Sequence, residues 1–282
     1  MIFNINEDFI AATIKQIYAE GKRDEVLVED ILSTILNQFN FHSMNIDERV
    51  SFSKIVLGIL SEEDRIELAK QLLQEQVVNQ RRKLAFWSAV TSQSSQINTG
   101  YIAQHLTSLV TQIPGQAMRG KGDDLIDGSE VKAANFLDSL DKQGATAPRW
   151  NFTAVEIPVM ERFLNYTNIY LVSMDLNSQG NFRTRIWKVD IQRHYTLRAR
   201  YQEWMEIKGY PKFNATGRRA AVNFQLFPPK NRINDNFARH GNGRDFKKLN
   251  IELENYEGSK LIFHAEEDNE GNINIFNFGG AN

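Results

Sequence analysis

The sequence contains no cysteine in its 282 residues. Disulfide bonds and thiolate metal sites are therefore excluded, in agreement with a reducing compartment. No apolar run approaches the roughly 18 residues of a membrane-spanning helix, and the first residues lack the basic and apolar segments of a secretory signal peptide. We therefore expect a cytoplasmic protein without a membrane segment.

Motifs of several common enzyme classes are missing as well. The sequence has no Walker phosphate-binding loop and no Gly-x-Gly-x-x-Gly after a predicted strand, which argues against nucleotide- and dinucleotide-binding enzymes. It has no His-Glu-x-x-His and no Gly-x-Ser-x-Gly, which argues against zinc peptidases and α/β-hydrolases.

The net charge of −2 conceals a strong asymmetry along the chain. Residues 1–78 contain 7 basic and 14 acidic residues, whereas residues 183–248 contain 16 basic and 5 acidic ones. The basic segment also has aromatic residues between its cations: Trp187, Tyr195, Tyr201, Trp204, Tyr210 and Phe213. Such a segment is typical of salt-dependent nucleic-acid binding, although any single arginine in it can instead pair with an acidic residue.

Apolar residues recur at helical spacing between residues 6 and 92, as Ile10, Ile14 and Ile17 do. This region is acidic, amphipathic and without motifs. We therefore predict a helical support or dimerisation region over residues 1–95. The polar stretch Ser92–Gly100 breaks the periodicity and predicts a linker, after which residues 101–113 have the pattern of an amphipathic helix.

Strand patterns dominate the remainder, so we predict an α/β domain with a mixed sheet over residues 96–282. The apolar run Ile169–Asp175 is suited to a central strand, and a turn at residues 177–180 joins it to a second strand, Arg183–Asp190. A further strand is predicted at Ala220–Phe227 and a β-hairpin at residues 258–274.

The stretch Lys121–Lys132 carries the strongest sign of chemistry. An Asp-Gly turn predicts two short strands, and alternation along the second places Glu130 and Lys132 on one face and Val131 on the other. The first strand returns Asp123 and Asp124 beside them. Carboxylates this close repel unless a cation lies between them, and oxygen ligands of this kind suit Mg²⁺. The lysine could hold or polarise a metal-bound water.

The length of the turn decides which aspartate faces Glu130. A two-residue loop at Asp127-Gly128 puts Asp123 on that face, whereas a three-residue loop with Gly128 in a left-handed bulge puts Asp124 there. We favour Asp124, because Leu125 would then point into the body of the sheet. Both aspartates remain candidates.

An aspartate followed by Glu-x-Lys across a turn resembles the PD-(D/E)xK nuclease motif of type II restriction endonucleases and several repair nucleases. The wider run Gly120–Ala133, with Pro148–Asn151 after it, is similar to MamI-type restriction endonucleases. One departure is Gly122, where the motif often has proline. An amphipathic helix before the motif also agrees with the order of elements in the nuclease core.

This resemblance implies a helical N-terminal region followed by a PD-(D/E)xK core. It implies a Mg²⁺-dependent type II restriction endonuclease that cuts double-stranded DNA at a specific sequence. Asp123 or Asp124 and Glu130 would bind one or two Mg²⁺, helped by the Val131 carbonyl, while Lys132 would orient or activate water. A palindromic target would require a homodimer. The alternatives are a DNA-binding protein without catalysis, or a repair or mobile-element nuclease of low sequence specificity.

Four residues are candidates for base contacts. Arg149 and Asn151 follow a Gly-Ala-Thr-Ala loop, and Arg218 and Arg219 lie in a second loop. Arginine and asparagine are suited to bidentate contacts with guanine and adenine. Alternatively, Trp150 anchors the first of these loops in the core.

Overall fold

The computed structural model describes residues 7–93, 97–117, 123–135, 148–216, 221–230 and 235–279. Gly122, Arg218 and Arg219 therefore lie outside the described residues, as does the predicted loop before Pro148. Within these ranges, no helix is both long enough and apolar enough to cross a membrane.

Helices make up the first part of the described chain. They are α1 (Glu7–Arg23), α2 (Val28–Gln38), α3 (Ile46–Ile59), α4 (Glu62–Leu73), α5 (Gln80–Thr91) and α6 (Thr99–Thr111), with a π-helical segment at Gln74–Asn79. Local sequence fixes several starts. Asn45 and Glu48 form a capping box before α3, and the Ser61 side chain accepts the Asp64 N–H before α4. The helical pattern predicted for this region is confirmed.

Strands and shorter helices follow. The strands are β1 (Glu130–Asn135), β2 (Trp150–Ala154), β3 (Ile169–Leu176), β4 (Phe182–Val189), β5 (Val222–Leu226), β6 (Phe237–His240), β7 (Leu249–Glu252), β8 (Ser259–Glu267) and β9 (Ile273–Phe278). The helices are α7 (Ile157–Arg162), α8 (Tyr195–Trp204) and α9 (Tyr210–Thr216), with a second π-helical segment at Met205–Gly209.

The central sheet has five strands in the order β1-β3-β4-β8-β9. Strand β1 runs parallel to β3, and the other neighbours are antiparallel, so the predicted mixed sheet is confirmed. Strands β3 and β4 are joined by the predicted turn, and β8 and β9 form the predicted C-terminal hairpin. Two further antiparallel pairs, β2–β5 and β6–β7, lie outside this sheet.

One face of the central sheet is apolar and covered by helices. Val172 and Met174 of β3 are buried on this face together with Leu106 of α6 and Leu73 of α4. This core contains residues from both sides of the predicted boundary at residue 95, and the division into two domains stays a prediction. A separate apolar cluster, centred on Ile14, Ile35 and Phe52, holds α1, α2 and α3 together.

The opposite face of the sheet carries the second core at one end and polar groups at the other. The β2–β5 pair and α8 pack on it through buried residues such as Trp150 and Tyr201. The Trp150 indole Nε1 donates to the Val172 carbonyl at 2.8 Å. Farther along, Asp175 lies 2% exposed beside two arginines of β4. Its carboxylate accepts two bonds of 2.8 Å from Arg183 and one of 3.2 Å from Arg185.

This buried cluster yields a stability prediction. We expect Asp175→Asn to lower the free energy of unfolding by about 3–5 kcal/mol, because two desolvated guanidiniums lose their counter-charge. Urea denaturation of the two proteins measures the difference. Asp245→Asn is the matched control: Asp245 forms a half-exposed 3.0 Å pair with Lys208, and its loss should cost less than about 1 kcal/mol. Equal effects of the two substitutions would contradict the prediction.

Candidate functional site

The candidate site lies at an edge of the central sheet. Among the described strands, β1 pairs with β3 alone, with Glu130 opposite Ile169 and Lys132 opposite Leu171. Because side chains alternate along a strand, Glu130 and Lys132 leave on the same face. The Lys132 ammonium forms an ion pair with Glu130 Oε1. The structure thus brings together the glutamate and the lysine of the predicted motif.

The turn before β1 differs from the predicted hairpin. Residues 123–126 form no strand: the N–H groups of Asp124 and Leu125 donate to the Ser129 carbonyl at 3.1 Å, Leu125 forms an isolated bridge to Gly115, and β1 takes its partner from β3. The turn itself has three residues, with the Gly128 N–H donating to the Leu125 carbonyl and Gly128 at a φ of 83°. Leu125 is fully buried. This is the three-residue alternative, in which glycine supplies the left-handed conformation at little cost.

Hydrogen bonds hold Asp124 at the open edge of β1. Its Oδ2 accepts the Val131 N–H at 2.8 Å, and its Oδ1 accepts the Gln104 amide of α6 at 2.6 Å. The N–H and C=O of one strand residue point to the same side, so the Val131 carbonyl also faces this edge. Two carboxylates and one carbonyl of the predicted set therefore belong to the same corner of the sheet.

Burial and mutual repulsion act on the two carboxylates. Loss of solvent raises the pKa of Glu130, and the charges of Asp124 and Asp123 raise it further, while Lys132 opposes them. Burial likewise raises the pKa of Asp124, against the bond from Val131 and the charge of Lys132. Asp123 is half-buried and acts on both groups by charge. The described protein groups leave the negative charge of this cluster only partly compensated.

The donor set fits a divalent cation. Glu130 Oε2 is buried and has no hydrogen-bond partner among the described residues, and an unsatisfied buried carboxylate oxygen is costly. Within the same ranges, no three His, Asp or Glu side chains form a complete metal site by themselves. Mg²⁺ commonly binds one or two carboxylates and keeps several waters. Asp124, Glu130 and the Val131 carbonyl supply ligands of that kind.

Three residues near the site were not singled out from the sequence. Gln104 bonds to Asp124, and the Lys132 Nζ lies 5.7 Å from the centre of the Phe152 ring. Burial raises the pKa of Tyr166, and the charges of Glu130 and Asp123 raise it further. Gln104 is a polar residue in an amphipathic helix, and only the packing of α6 beside β1 shows its role. The other two come from elements whose partners are distant in the sequence.

The predicted base-contacting residues are only partly described. Arg149 directly precedes β2, and Asn151 lies on its exposed side, whereas Trp150 between them is fully buried. The alternative in which Trp150 anchors this segment is therefore confirmed, and it leaves both neighbours facing outwards. Arg218 and Arg219 lie outside the described residues.

Several arginines of the basic segment have structural partners. Arg183 and Arg185 pair with Asp175, and Arg239 pairs with Asp235 at 2.7 Å. Arg200 is buried and donates to the Lys247 carbonyl at 3.2 Å. The count of basic residues in this segment therefore overstates the positive charge that an external partner would meet.

Comparison with known proteins identifies relatives of this chain. The profile of the MamI restriction endonuclease family matches residues 86–265. The type II restriction enzyme MamI of Microbacterium ammoniaphilum is 32% identical over 206 residues, which cover 67% of this chain and 62% of that enzyme's length. No solved structure matches the chain significantly. The matched range of the family profile includes α6, β1 and the β2–β5 pair.

The raised pKa of Glu130 predicts a pH dependence of stability. Between the ordinary glutamate pKa of ~4.3 and the raised value, the folded state binds more protons than the unfolded state. The contribution of Glu130 to the free energy of unfolding therefore falls as the pH rises through that window. We compare the free energy of unfolding of Glu130→Gln with that of the original protein, both in EDTA. We expect this difference to change in favour of the variant as the pH rises from 4 to 7.

Urea denaturation across this pH range measures the difference. Glu257→Gln, at a solvent-exposed position, is the control and should show a smaller pH dependence. A difference for Glu130→Gln that does not change with pH would contradict the prediction.

Proposed function

This chain belongs to the MamI restriction endonuclease family, and from that premise we propose that it is a Mg²⁺-dependent type II restriction endonuclease. Its reaction is the hydrolysis of phosphodiester bonds in double-stranded DNA at a specific sequence. The family match includes the candidate site, although the similar MamI enzyme is covered over only 62% of its length. Its activity, substrate and partners therefore enter here as proposals for this chain.

The observation that carries the proposal is the geometry at the edge of β1. Asp124 and Glu130 are desolvated close together, Lys132 lies on the same face as Glu130, and Glu130 Oε2 accepts no hydrogen bond from the residues that the structure describes. An aspartate, a glutamate and a lysine in this relation are the parts of a PD-(D/E)xK site. A purely structural cluster would pair its charges internally, as Asp175 does with two arginines.

Each residue has a distinct role in the proposed hydrolysis. Asp124 or Asp123, Glu130 and the Val131 carbonyl would hold Mg²⁺, which when bound lowers the pKa of a coordinated water and neutralises phosphate charge. Lys132 positions the attacking water and donates to it or to a phosphate oxygen. The water oxygen forms the new bond to phosphorus and gives up a proton to solvent, while the bond to the leaving oxygen breaks and that oxygen takes a proton from a water molecule.

The Gln104 and Val131 hydrogen bonds fix the Asp124 carboxylate before DNA arrives. A group held in position by two bonds does not have to be ordered during the reaction. Lys132 is restrained in a similar way by Glu130 and by the Phe152 ring. The site is thus largely preorganised by residues of α6, β1 and β2.

The proposal extends to the partners of the protein. Double-stranded DNA is the substrate, with basic residues from position 183 onward contacting phosphates and Arg149, Asn151, Arg218 and Arg219 contacting base edges. A palindromic target would be cut by a homodimer, because a two-fold axis relates its two strands. The protein would act in the cytoplasm.

Removing either charged residue of β1 tests the catalytic roles. We expect Lys132→Ala and Glu130→Ala to reduce cleavage of phage DNA by on the order of 10³-fold or more. Agarose gels with Mg²⁺ or with EDTA measure cleavage. Discrete Mg²⁺-dependent bands from the original protein would support site-specific cutting, whereas a smear would favour a nuclease of low specificity.

DNA binding separates loss of chemistry from loss of the fold. With Ca²⁺ in place of Mg²⁺, both variants should still bind the duplex. Lys15→Ala, at an exposed position on α1, is the matched control and should cut normally. Full activity of either β1 variant would show that the site is assigned wrongly. An original protein that binds several unmethylated DNA substrates but cuts none would favour a binding protein without catalysis.

A second comparison distinguishes the two aspartates. We expect Asp124→Asn to lose on the order of 10²-fold or more in Mg²⁺-dependent cleavage, because Asp124 bonds to the edge of β1 next to Glu130. Asp123→Asn should lose less than about 10-fold, because it acts mainly through charge. Initial rates at several Mg²⁺ concentrations measure both. The opposite order would make Asp123 the ligand, and equally mild losses would remove both from the site.

A further inference from the structure

The β2–β5 pair presents a row of polar side chains, of which the proposed function uses only Arg149 and Asn151. We propose that this row, which we call the amide ladder, reads base edges in the major groove of DNA. It consists of Arg149, Asn151, Thr153, Asn223 and Gln225. The inference rests on the proposed function and extends it from the cleaving residues to those that choose the sequence.

Strand alternation separates the ladder from the core. Trp150, Phe152 and Ala154 of β2 are buried, as are their partners Leu226, Phe224 and Val222 of β5. The residues between them must face the other way. The pair therefore has one apolar side fixed on the protein and one polar side turned to solvent.

Side-chain hydrogen bonds connect the ladder from end to end. Arg149 donates to Gln225 at 2.9 Å, and the Gln225 amide donates to Asn151 at 3.3 Å. Asn151 donates to Thr153 at 2.9 Å and to Asn223 at 3.3 Å, and Thr153 donates to Asn223 at 2.6 Å. These bonds hold the side chains in one orientation. Each amide can exchange its partner for a base edge.

The composition of the ladder suits DNA. It has one arginine, three amides, one hydroxyl and no carboxylate. Asparagine and glutamine form bidentate bonds with adenine, and arginine does so with guanine. The major groove, about 12 Å wide, admits a two-stranded antiparallel ribbon. Both the shape and the donors of this surface therefore match base edges.

Asparagine is an unfavourable choice for these positions if they serve only the fold. Asparagine is depleted in strands, whereas threonine, valine and tyrosine are enriched. Asn151 and Asn223 nevertheless lie within β2 and β5, with Asn223 directly opposite Thr153. A ribbon kept only for its buried side would be more stable with β-branched residues here.

A groove with cationic side chains borders the ladder. It has a volume of about 490 Å³, and its walls include Arg149, Asn223 and Gln225 together with Lys208 and Lys212. Asp245 also lines the groove and pairs with Lys208 at 3.0 Å, so three cations and one carboxylate leave a net positive charge. Cations beside a base-reading surface contact phosphates and set its position on the duplex. The groove also contains His240, whose Nδ1 is buried without a hydrogen-bond partner among the described residues.

The ladder lies next to the candidate site, because strand β2 contacts Lys132. Phe152 lies between Asn151 and Thr153 on β2, and its ring is 5.7 Å from the Lys132 Nζ. A duplex bound to the ladder would therefore be held by the same strand that restrains the catalytic lysine. This arrangement places the base-reading strand β2 in contact with the strand β1 that carries Lys132.

The test uses the full chain and three single variants, Asn151→Val, Asn223→Val and Gln225→Val. Valine keeps the strands stable and removes the donors and acceptors. The target is first found by sequencing the ends of phage DNA fragments cut by the original protein. Binding is then measured with Ca²⁺ on a duplex that contains this target and on one with the target scrambled. Asn250→Val, at an exposed position of β7, is the matched control.

We expect each ladder variant to bind the target duplex on the order of 10- to 100-fold more weakly, with scrambled-duplex binding and the control unchanged. Target affinity within 3-fold of the original protein for all three variants would overturn the inference but leave the proposed function intact. Equal losses on both duplexes would also overturn it, because they indicate phosphate contacts. An original protein that neither cuts nor prefers any sequence would overturn the proposed function itself, and the inference with it.

Discussion

The bond between the Asp124 carboxylate and the Val131 N–H is the constraint on which the candidate site depends. Strand β1 is the edge of its sheet, so its outward N–H needs a partner other than a strand. A carboxylate from the preceding turn supplies it. This hydrogen bond satisfies the Val131 N–H but brings a second negative charge beside Glu130. Lys132 and the Gln104 amide then offset part of that charge.

Two acidic clusters on the same face of the sheet differ in how completely their negative charge is compensated. Asp175 is saturated by bidentate Arg183 and by Arg185. In the described part of the chain, Glu130 shares one lysine with its aspartate neighbours, and its Oε2 accepts no hydrogen bond. In the Asp175 cluster, the two arginines compensate the carboxylate charge. In the Glu130 cluster, negative charge exceeds positive charge, and a bound cation would reduce the repulsion between the carboxylates.

The sequence predicted the part of the site that depends on local alternation. Glu130 and Lys132 share a face, and Gly128 adopts the left-handed turn conformation that favoured Asp124. The predicted hairpin partner was wrong, because β1 pairs instead with β3, whose residues lie far along the chain. Local patterns carry no information about such a parallel partner. For the same reason, the sequence did not indicate that Tyr166 lies near the site or that Gln104 donates to Asp124.

Only one strand of the β2–β5 pair was predicted, at Ala220–Phe227. The residues of β2 were interpreted as part of a loop that Trp150 could anchor, and nothing in either segment indicated that the two pair. Strand register depends on which faces are buried, and here both apolar sides meet one core. The excess of basic residues in residues 183–248 follows directly from the sequence. Which of these residues form ion pairs and which face solvent could be read only from the structure.

The parallel pairing of β1 with β3 has a consequence for the order of folding. Strands β3 and β4 are joined by a tight turn, and such hairpins form within about 1–10 μs. Strand β1 must instead close a long connection before it can dock, and contacts of this kind form more slowly. The ribbon beside Lys132 in turn requires β5, at residues 222–226. During synthesis, a ribosome must therefore extrude most of the chain before the site can assemble, so truncated products would carry its residues without its geometry.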